Sequence, residues 1–280
     1  MKHMLPGKAT FPRMIPWPGP RSGEAGPGTG LDVTGLTVRF GGNTVVDDVA
    51  FAAPGNRITG LIGPNGAGKT TTFNACSGLL RPATGAVRLH GRDVTHQSPA
   101  ARARLGLGRT FQRMALFDSL TVEQNVALGR EARFAGSNPL RQLACLPAER
   151  AAIRTATEEV LGLCDLTGLR DRPVGSLSTG QRRLVDLGRV LAGGFTMLLL
   201  DEPSSGLDTA ETQRFGQVVT QVASERQCGV LLVEHDMSLV MPVCDYIYVL
   251  DFGKLIFQGT PGEVRASEAV RAAYLGQEAG

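Results

Sequence analysis

Residues 63–70 read GPNGAGKT. The run matches G-x-x-x-x-G-K-[ST] at every fixed position. It follows the apolar stretch RITGLI (57–62) and precedes TTFNACSGLL (71–80). A glycine loop between an expected strand and an expected helix is the setting in which this pattern carries meaning. Glycines let backbone N–H groups close around a phosphate with no Cβ in the way. Lys69 brings a point charge to the β/γ oxygens, and Thr70 offers a hydroxyl to Mg²⁺. Gly63, Pro64, Asn65, Gly66, Ala67, Gly68, Lys69, Thr70 and Thr71 are therefore the candidate nucleotide-phosphate contacts of this loop.

Such a loop needs an acid at the end of a neighbouring apolar strand. The run TMLLLDE (196–202) supplies one. Asp201 is placed to hold Mg²⁺, directly or through water. Glu202, next in line, is placed beside the γ-phosphate, where a carboxylate polarises an attacking water.

The chain has 280 residues, 42% of them hydrophobic and 20% charged, which suits one or two globular domains with a substantial core. No apolar run approaches the ~18–20 residues of a bilayer span. Residues 1–30 hold six Pro and six Gly without an apolar core, and read as a disordered lead-in with no signal peptide; Met4 and Met14 leave room for a later start. Lys2, Lys8, Arg13 and Arg21 against Glu24 account for the whole net charge of +3, so the body from residue 31 is neutral. That is poor support for a nucleic-acid binder. One basic run stands out, Arg102, Arg104, Arg109 and Arg113, with no acid from Val94 to Phe117. It reads as a solvated basic face, or as a contact for a partner or lipid headgroups. Cys76, Cys145, Cys164, Cys228 and Cys244 are scattered and odd in number, as expected of buried, reduced thiols.

Short strands broken by Gly, Asn and Pro dominate from Leu31 to the loop, which predicts an antiparallel start. From about Ser119 to Ala192 the text turns helical. Thr121 and Gln124 have capping-box spacing, with Val122 and Val126 one turn apart. After that, strands such as GVLLV (229–233) alternate with helices, which predicts a parallel sheet covered on both faces.

The remaining motifs narrow the class. LSTGQ stands at 177–181, SGLD at 205–208, and His235 ends the strand in VLLVEHD. Together with the glycine loop and LLLDEP, these resemble the ATP-binding-cassette ATPases over about residues 31–276. The resemblance implies an α/β P-loop core with flanking helices, an N-terminal antiparallel β subdomain, and a helical subdomain at about 113–192 within one domain, 31–280. It implies ATP and Mg²⁺ as cofactors. It also implies that the signature closes over the γ-phosphate held by a second, head-to-tail cassette. Ser178, Gly180 and Gln181 would then contact nucleotide, and a helix N-terminus there favours an anion without any lysine.

Other roles carry over on matching positions. Gln112, in RTFQR, would sense the γ-phosphate and Mg²⁺. His235 would steady the attack geometry, and Asp208 would lie on the subunit interface. Phe40 would stack on adenine, unless it is a core residue. SGLD departs from the commoner alanine before Leu207.

GRTFQ, the long stretch from Asn125 to Leu177, and YLG near the end are similar to the branched-chain amino acid importer ATPases. Urea or amide importers and lipid exporters are the alternatives; a soluble cassette protein or a degenerate scaffold fits less well. The partners implied are transmembrane permease subunits, a second cassette, identical or not, and a substrate-binding protein. The place implied is the cytoplasmic face of the inner membrane. Phe111, Met114, Leu116 and Phe117 match the family's permease-docking patch, with ordinary core as the plainer reading.

Overall fold

A computed structural model describes residues 30–110, 114–134 and 147–275. The lead-in, apart from Gly30, lies outside these residues, as do Phe111, Gln112, Arg113 and Cys145.

Two sheets form the frame. β1 (Gly30–Phe40) and β2 (Asn43–Pro54) make a hairpin; β4 (Thr84–Leu89) lies along the other side of β1 and turns into β5 (Arg92–Asp93). The order is β2-β1-β4-β5, antiparallel throughout, as the Gly- and Pro-broken text predicts for residues 31–54; residues 58–62, expected in the same antiparallel start, instead pair parallel in the second sheet. The second sheet holds β3 (Ile58–Ile62), β6 (Leu107–Arg109), β7 (Met197–Asp201), β8 (Gly229–Glu234), β9 (Tyr246–Asp251) and β10 (Lys254–Gly259). Its order is β10-β9-β3-β8-β7-β6. All its pairings are parallel except β9 with β10. That exception has a local cause. Phe252 and Gly253 take φ of +42° and +77°, a two-residue reversal that leaves no chain for a crossover helix.

The helices are α1 (Lys69–Ser77), α2 (Pro99–Arg104), α3 (Val122–Phe134), α4 (Pro147–Leu163), α5 (Thr179–Ala192), α6 (Thr209–Arg226), α7 (Met237–Val243), α8 (Pro261–Ala266) and α9 (Glu268–Leu275). The central strands are buried on both faces, so they read as continuous apolar runs. Their side chains nonetheless alternate. Leu61, Leu199, Leu231 and Val233 face the antiparallel sheet, together with Phe73 and Ala75 of α1. Ile62, Leu198, Leu200, Val230 and Leu232 face the other way, against Val185 of α5 and Val218 and Val222 of α6.

α3, α4 and α5 pack on one another beside this core. Thr121 and Gln124 form the expected capping box at the start of α3, with bonds of 2.9 and 3.2 Å. Val122 and Val126 are fully buried. Gly129 lets α3 lie directly on α5, since a Cβ there would sit 1.8 Å from the Arg189 carbonyl oxygen.

The basic run needs correcting. Arg104 is exposed, but Arg102 has no exposed surface. Its guanidinium donates to the carbonyls of Ala75 (2.7 Å), Cys76 (2.6 Å), Thr95 (3.0 Å) and Gln97 (3.2 Å). A fixed positive charge thus caps the C-terminal end of α1, where the helix dipole and unpaired carbonyls favour it. Acid-free sequence around an arginine signals solvent only when no carbonyl cluster is there to take its donors. The four described cysteines are free and buried, as expected, and burial raises each thiol pKa: to about 12 for Cys76, Cys164 and Cys244, and to about 11 for Cys228.

Arg102→Met removes a charged donor from each of four carbonyls, three of them on buried residues. It should lower the unfolding free energy by about 3 kcal/mol, read from the urea midpoint. A loss below about 1 kcal/mol would mean that these carbonyls find other donors.

Candidate functional site

The glycine loop leaves the carboxyl end of β3 and enters α1, at the edge where ligands approach parallel sheets. Two glycines permit its path. Gly63 takes φ +152°, and a Cβ there would lie 2.1 Å from the Leu250 carbonyl oxygen. Gly68, at φ +95°, caps α1 with no side-chain hydrogen bond, and no acid stands in the helix's first turn. The positive end of α1 therefore points into the loop with its N–H groups uncovered by any capping side chain. The β9–β10 turn braces the loop from behind: the Gly253 N–H donates to Ala67 O at 3.1 Å, and Gly253 O accepts from Asp47 N at 2.9 Å.

Lys69 is buried and folds over this loop. Its Nζ donates to Gly63 O at 2.6 Å and Pro64 O at 2.9 Å. Burial pushes its ammonium below the usual lysine range, while Glu202, Glu234 and Asp201 pull it back up. All three carboxylates are thus electrically close to the loop lysine. Asn65, Gly66 and Thr70 are exposed, Thr71 is half-buried, and Pro64 and Ala67 are buried.

β7 and β8 end side by side in acids. Asp201 is buried, and its Oδ2 lies 3.4 Å from Arg109 Nη2. Burial lifts its pKa above the usual carboxylate range; Arg109 opposes this, and Glu202 and Glu234 add to it. Arg109 reaches from β6, donates to Asn74 Oδ1 (2.9 Å) and Ser77 Oγ (2.6 Å), and lies 4.5 Å over the Phe73 ring. It thereby joins α1 to Asp201. Glu202 adopts φ +43°, a left-handed conformation uncommon for a non-glycine residue, and its N–H donates to Val233 O at 2.9 Å. His235, half-exposed, places Nδ1 3.9 Å from Glu202 Oε1 and 3.7 Å from Glu234 Oε2.

Glu234 was not singled out from the sequence, though it is a strand-end acid like Asp201. It is fully buried. One oxygen accepts from Ser204 N (2.8 Å) and Ser204 Oγ (2.6 Å). The other accepts from His235 N (3.0 Å) and Asp236 N (3.3 Å). One carboxylate thus ties the loop after Glu202 to the loop that carries His235. The signal was present in VLLVEHD, where an apolar strand ends in an acid.

The signature, expected to form a second anion site, stands at the start of α5. Ser178 caps the helix, its Oγ accepting from Gln181 N at 3.2 Å and its N–H donating to Gln181 Oε1 at 3.1 Å. The Gln181 side chain is thereby committed to the cap. Ser178 Oγ and the Gly180 N–H point instead at Glu211, on α6. Asp208 is exposed and caps α6, accepting from Glu211 N at 2.8 Å. Phe40 is 50% exposed at the end of β1, so it is not a core residue. Gln112 lies outside the described residues.

Around the patch expected at 111–117, Met114 and Leu116 are half-buried, whereas Phe117 is 55% exposed. The fully buried Asn125 holds Phe117 there, accepting from its N–H at 2.9 Å and donating to its carbonyl at 3.0 Å.

Residues 46–205 match the family model described as ABC transporter, and residues 254–280 match one described as branched-chain amino acid ATP-binding cassette transporter. The chain is 38% identical over 250 residues to the high-affinity branched-chain amino acid transport ATP-binding protein BraF of Pseudomonas aeruginosa, covering 88% of this chain and 98% of the relative. It is 34% identical over 248 residues to the lipopolysaccharide export system ATP-binding protein LptB of Haemophilus influenzae, covering 89% and 98%. Among solved structures, an ATP-binding cassette of an ABC transporter in its ADP conformation superposes with a TM-score of 0.78 at 29% identity, over 88% of this chain and 98% of that one.

Glu234→Gln replaces an oxygen that accepts two bonds with an amide that cannot accept. Hydrogen exchange should rise by about tenfold or more on the side that the amide nitrogen takes, either at Ser204 or at His235 and Asp236, while the remaining oxygen still serves the other side. Unchanged protection would mean that these loops are held by something other than this carboxylate.

Proposed function

The chain belongs to the ATP-binding cassette family of ABC transporters and is an ATPase, and from that premise we propose that it powers a membrane importer of branched-chain or other hydrophobic amino acids. Its permease partners span the membrane; no described helix here is long and apolar enough to do so. We place the chain on the cytoplasmic face of the inner membrane, held there by the permease, with a second cassette beside it and a substrate-binding protein acting through the complex. The match of residues 254–280 favours this cargo class over the lipid export of the LptB relatives.

The observation that carries the catalytic reading is geometric: Lys69 lies folded over its loop, the adjacent strands β7 and β8 end in Asp201 and Glu234, and Glu202 lies 3.9 Å from His235 Nδ1. In the proposed mechanism, N–H groups of residues 66–71 and the Lys69 ammonium hold the β- and γ-phosphates. Phe40 stacks on adenine from the edge of β1. Thr70 and Asp201 would hold Mg²⁺. Such a donor set fits, because Mg²⁺ takes one or two carboxylates and completes its shell with phosphate oxygens and water. When bound, Mg²⁺ neutralises charge developing on the phosphate oxygens. Glu202 takes the proton of the attacking water, and His235 orients the γ-phosphate. Gln112 senses that phosphate. Ser178 and the Gly180 N–H complete the site on the facing cassette, with Gln181 holding the helix cap and Asp208 at the interface. ATP then joins two cassettes, and its hydrolysis separates them.

Glu202→Gln keeps size and hydrogen bonding but cannot take a proton. Steady-state hydrolysis should fall by about 10²-fold or more while ATP binding persists; unchanged turnover removes Glu202 from this role. A pull-down of the tagged full chain from solubilised native membranes tests the transporter reading. Multispanning permease subunits should be recovered with the wild type and lost with Phe117→Asp, whose ATP binding and melting temperature should match the wild type. Recovery of ribosomes, or of no membrane protein, contradicts the proposal.

A further inference from the structure

The signature's two anion donors are already engaged inside the chain. Glu211 Oε1 accepts from Ser178 Oγ at 2.9 Å and from the Gly180 N–H at 3.3 Å. The first turn of α5 has no acid of its own, so Glu211 is the negative charge at its N-terminus. The approach is close: a Cβ on Gly180 would lie 2.4 Å from Glu211 Cδ and 2.5 Å from Oε1. The missing side chain at 180 makes room for the carboxylate. Meanwhile Glu211 Oε2 accepts from Asp208 N at 3.4 Å, and Glu211 N donates to Asp208 Oδ1. One side chain therefore connects the signature to the loop 203–208 that follows Glu202.

We propose that Glu211 is an internal ligand of the signature, which the γ-phosphate of the facing cassette must displace before the two cassettes close. This rests on the reading that Ser178 and Gly180 complete a nucleotide site held by a second cassette. The argument is one of exclusion. Gly180 has one N–H, Ser178 has one hydroxyl proton, and both point at the same carboxylate oxygen. A phosphate oxygen cannot take these bonds while Oε1 holds them, and two anions at that spacing repel. Displacement also cuts the link from the signature to Asp208. The arrival of nucleotide at one site is thereby passed to the loop beside Glu202 of the other site, on the same chain. Glu211 is a positioning residue in this scheme, since it touches the donors and not the nucleotide.

The alternative is a purely structural role, because Glu211 also completes the capping box at the start of α6. The two roles predict opposite effects on closure. Full-length chain carrying Glu202→Gln, with its pairing cassette present, is titrated with Mg·ATP, and association is followed by analytical ultracentrifugation. Adding Glu211→Gln keeps a capping amide but removes the charge. The ATP concentration for half-maximal association should fall by about tenfold, the scale of one charge-assisted hydrogen bond, with the melting temperature of the unliganded chain unchanged. A midpoint that is unchanged or higher, with Glu211→Ala lowering the melting temperature, overturns the proposal and leaves only the cap. Failure of the Glu202→Gln chain to associate at any ATP concentration, while it still binds ATP, refutes the paired-cassette reading itself and this inference with it.

Discussion

Gly63 lies where a single methyl group would collide with the Leu250 carbonyl oxygen at 2.1 Å, and the geometry of the nucleotide loop depends on that contact. The loop can leave β3 and enter α1 only because its backbone comes this close to the end of β9. From there the consequences are local. The uncapped start of α1 faces inward, Lys69 folds over the loop carbonyls, and the acids ending β7 and β8 act on its charge. The far end of α1 is fixed too, by the buried guanidinium of Arg102 on its last carbonyls. A helix whose dipole is to serve a phosphate at one end is held by a permanent cation at the other.

The acids behind the loop are arranged in series. Arg109 joins Asp201 to α1, Glu234 joins the Ser204 loop to the His235 loop, and Glu211 joins the Asp208 turn to the signature. Each link is a charged group accepting or donating several hydrogen bonds at once. Such links are strong when complete and costly when half made. They give the site a small number of discrete arrangements, which suits a protein whose proposed work is to alternate between open and closed pairs.

Much of this was legible in the sequence, for physical reasons. The loop is legible because only glycine tolerates its backbone, so the spacing of 63, 66 and 68 is dictated. The central sheet is legible because strands buried on both faces must be apolar throughout, as in MLLL and GVLLV. The Thr121 cap is legible because it is local. What escaped was set by long-range partners. Arg102 lies 26 and 27 residues from the carbonyls it caps on α1, so its surroundings in the text suggested a solvated face. Glu211 is 33 residues from Ser178, and nothing in SGLDTAE announces the pairing. The reversal of β10 was hidden because Phe252 adopts a turn conformation usually left to glycine or asparagine.

The central claim is that the two anion sites of one chain serve two different nucleotides. A cryo-electron microscopy structure of the Glu202→Gln complex with Mg·ATP tests it most directly. The account predicts each γ-phosphate between Lys69 of one cassette and Ser178 and Gly180 of the other, within hydrogen-bond distance of both. A nucleotide touched by a single cassette, with the facing signature still closed on its own Glu211, would contradict it.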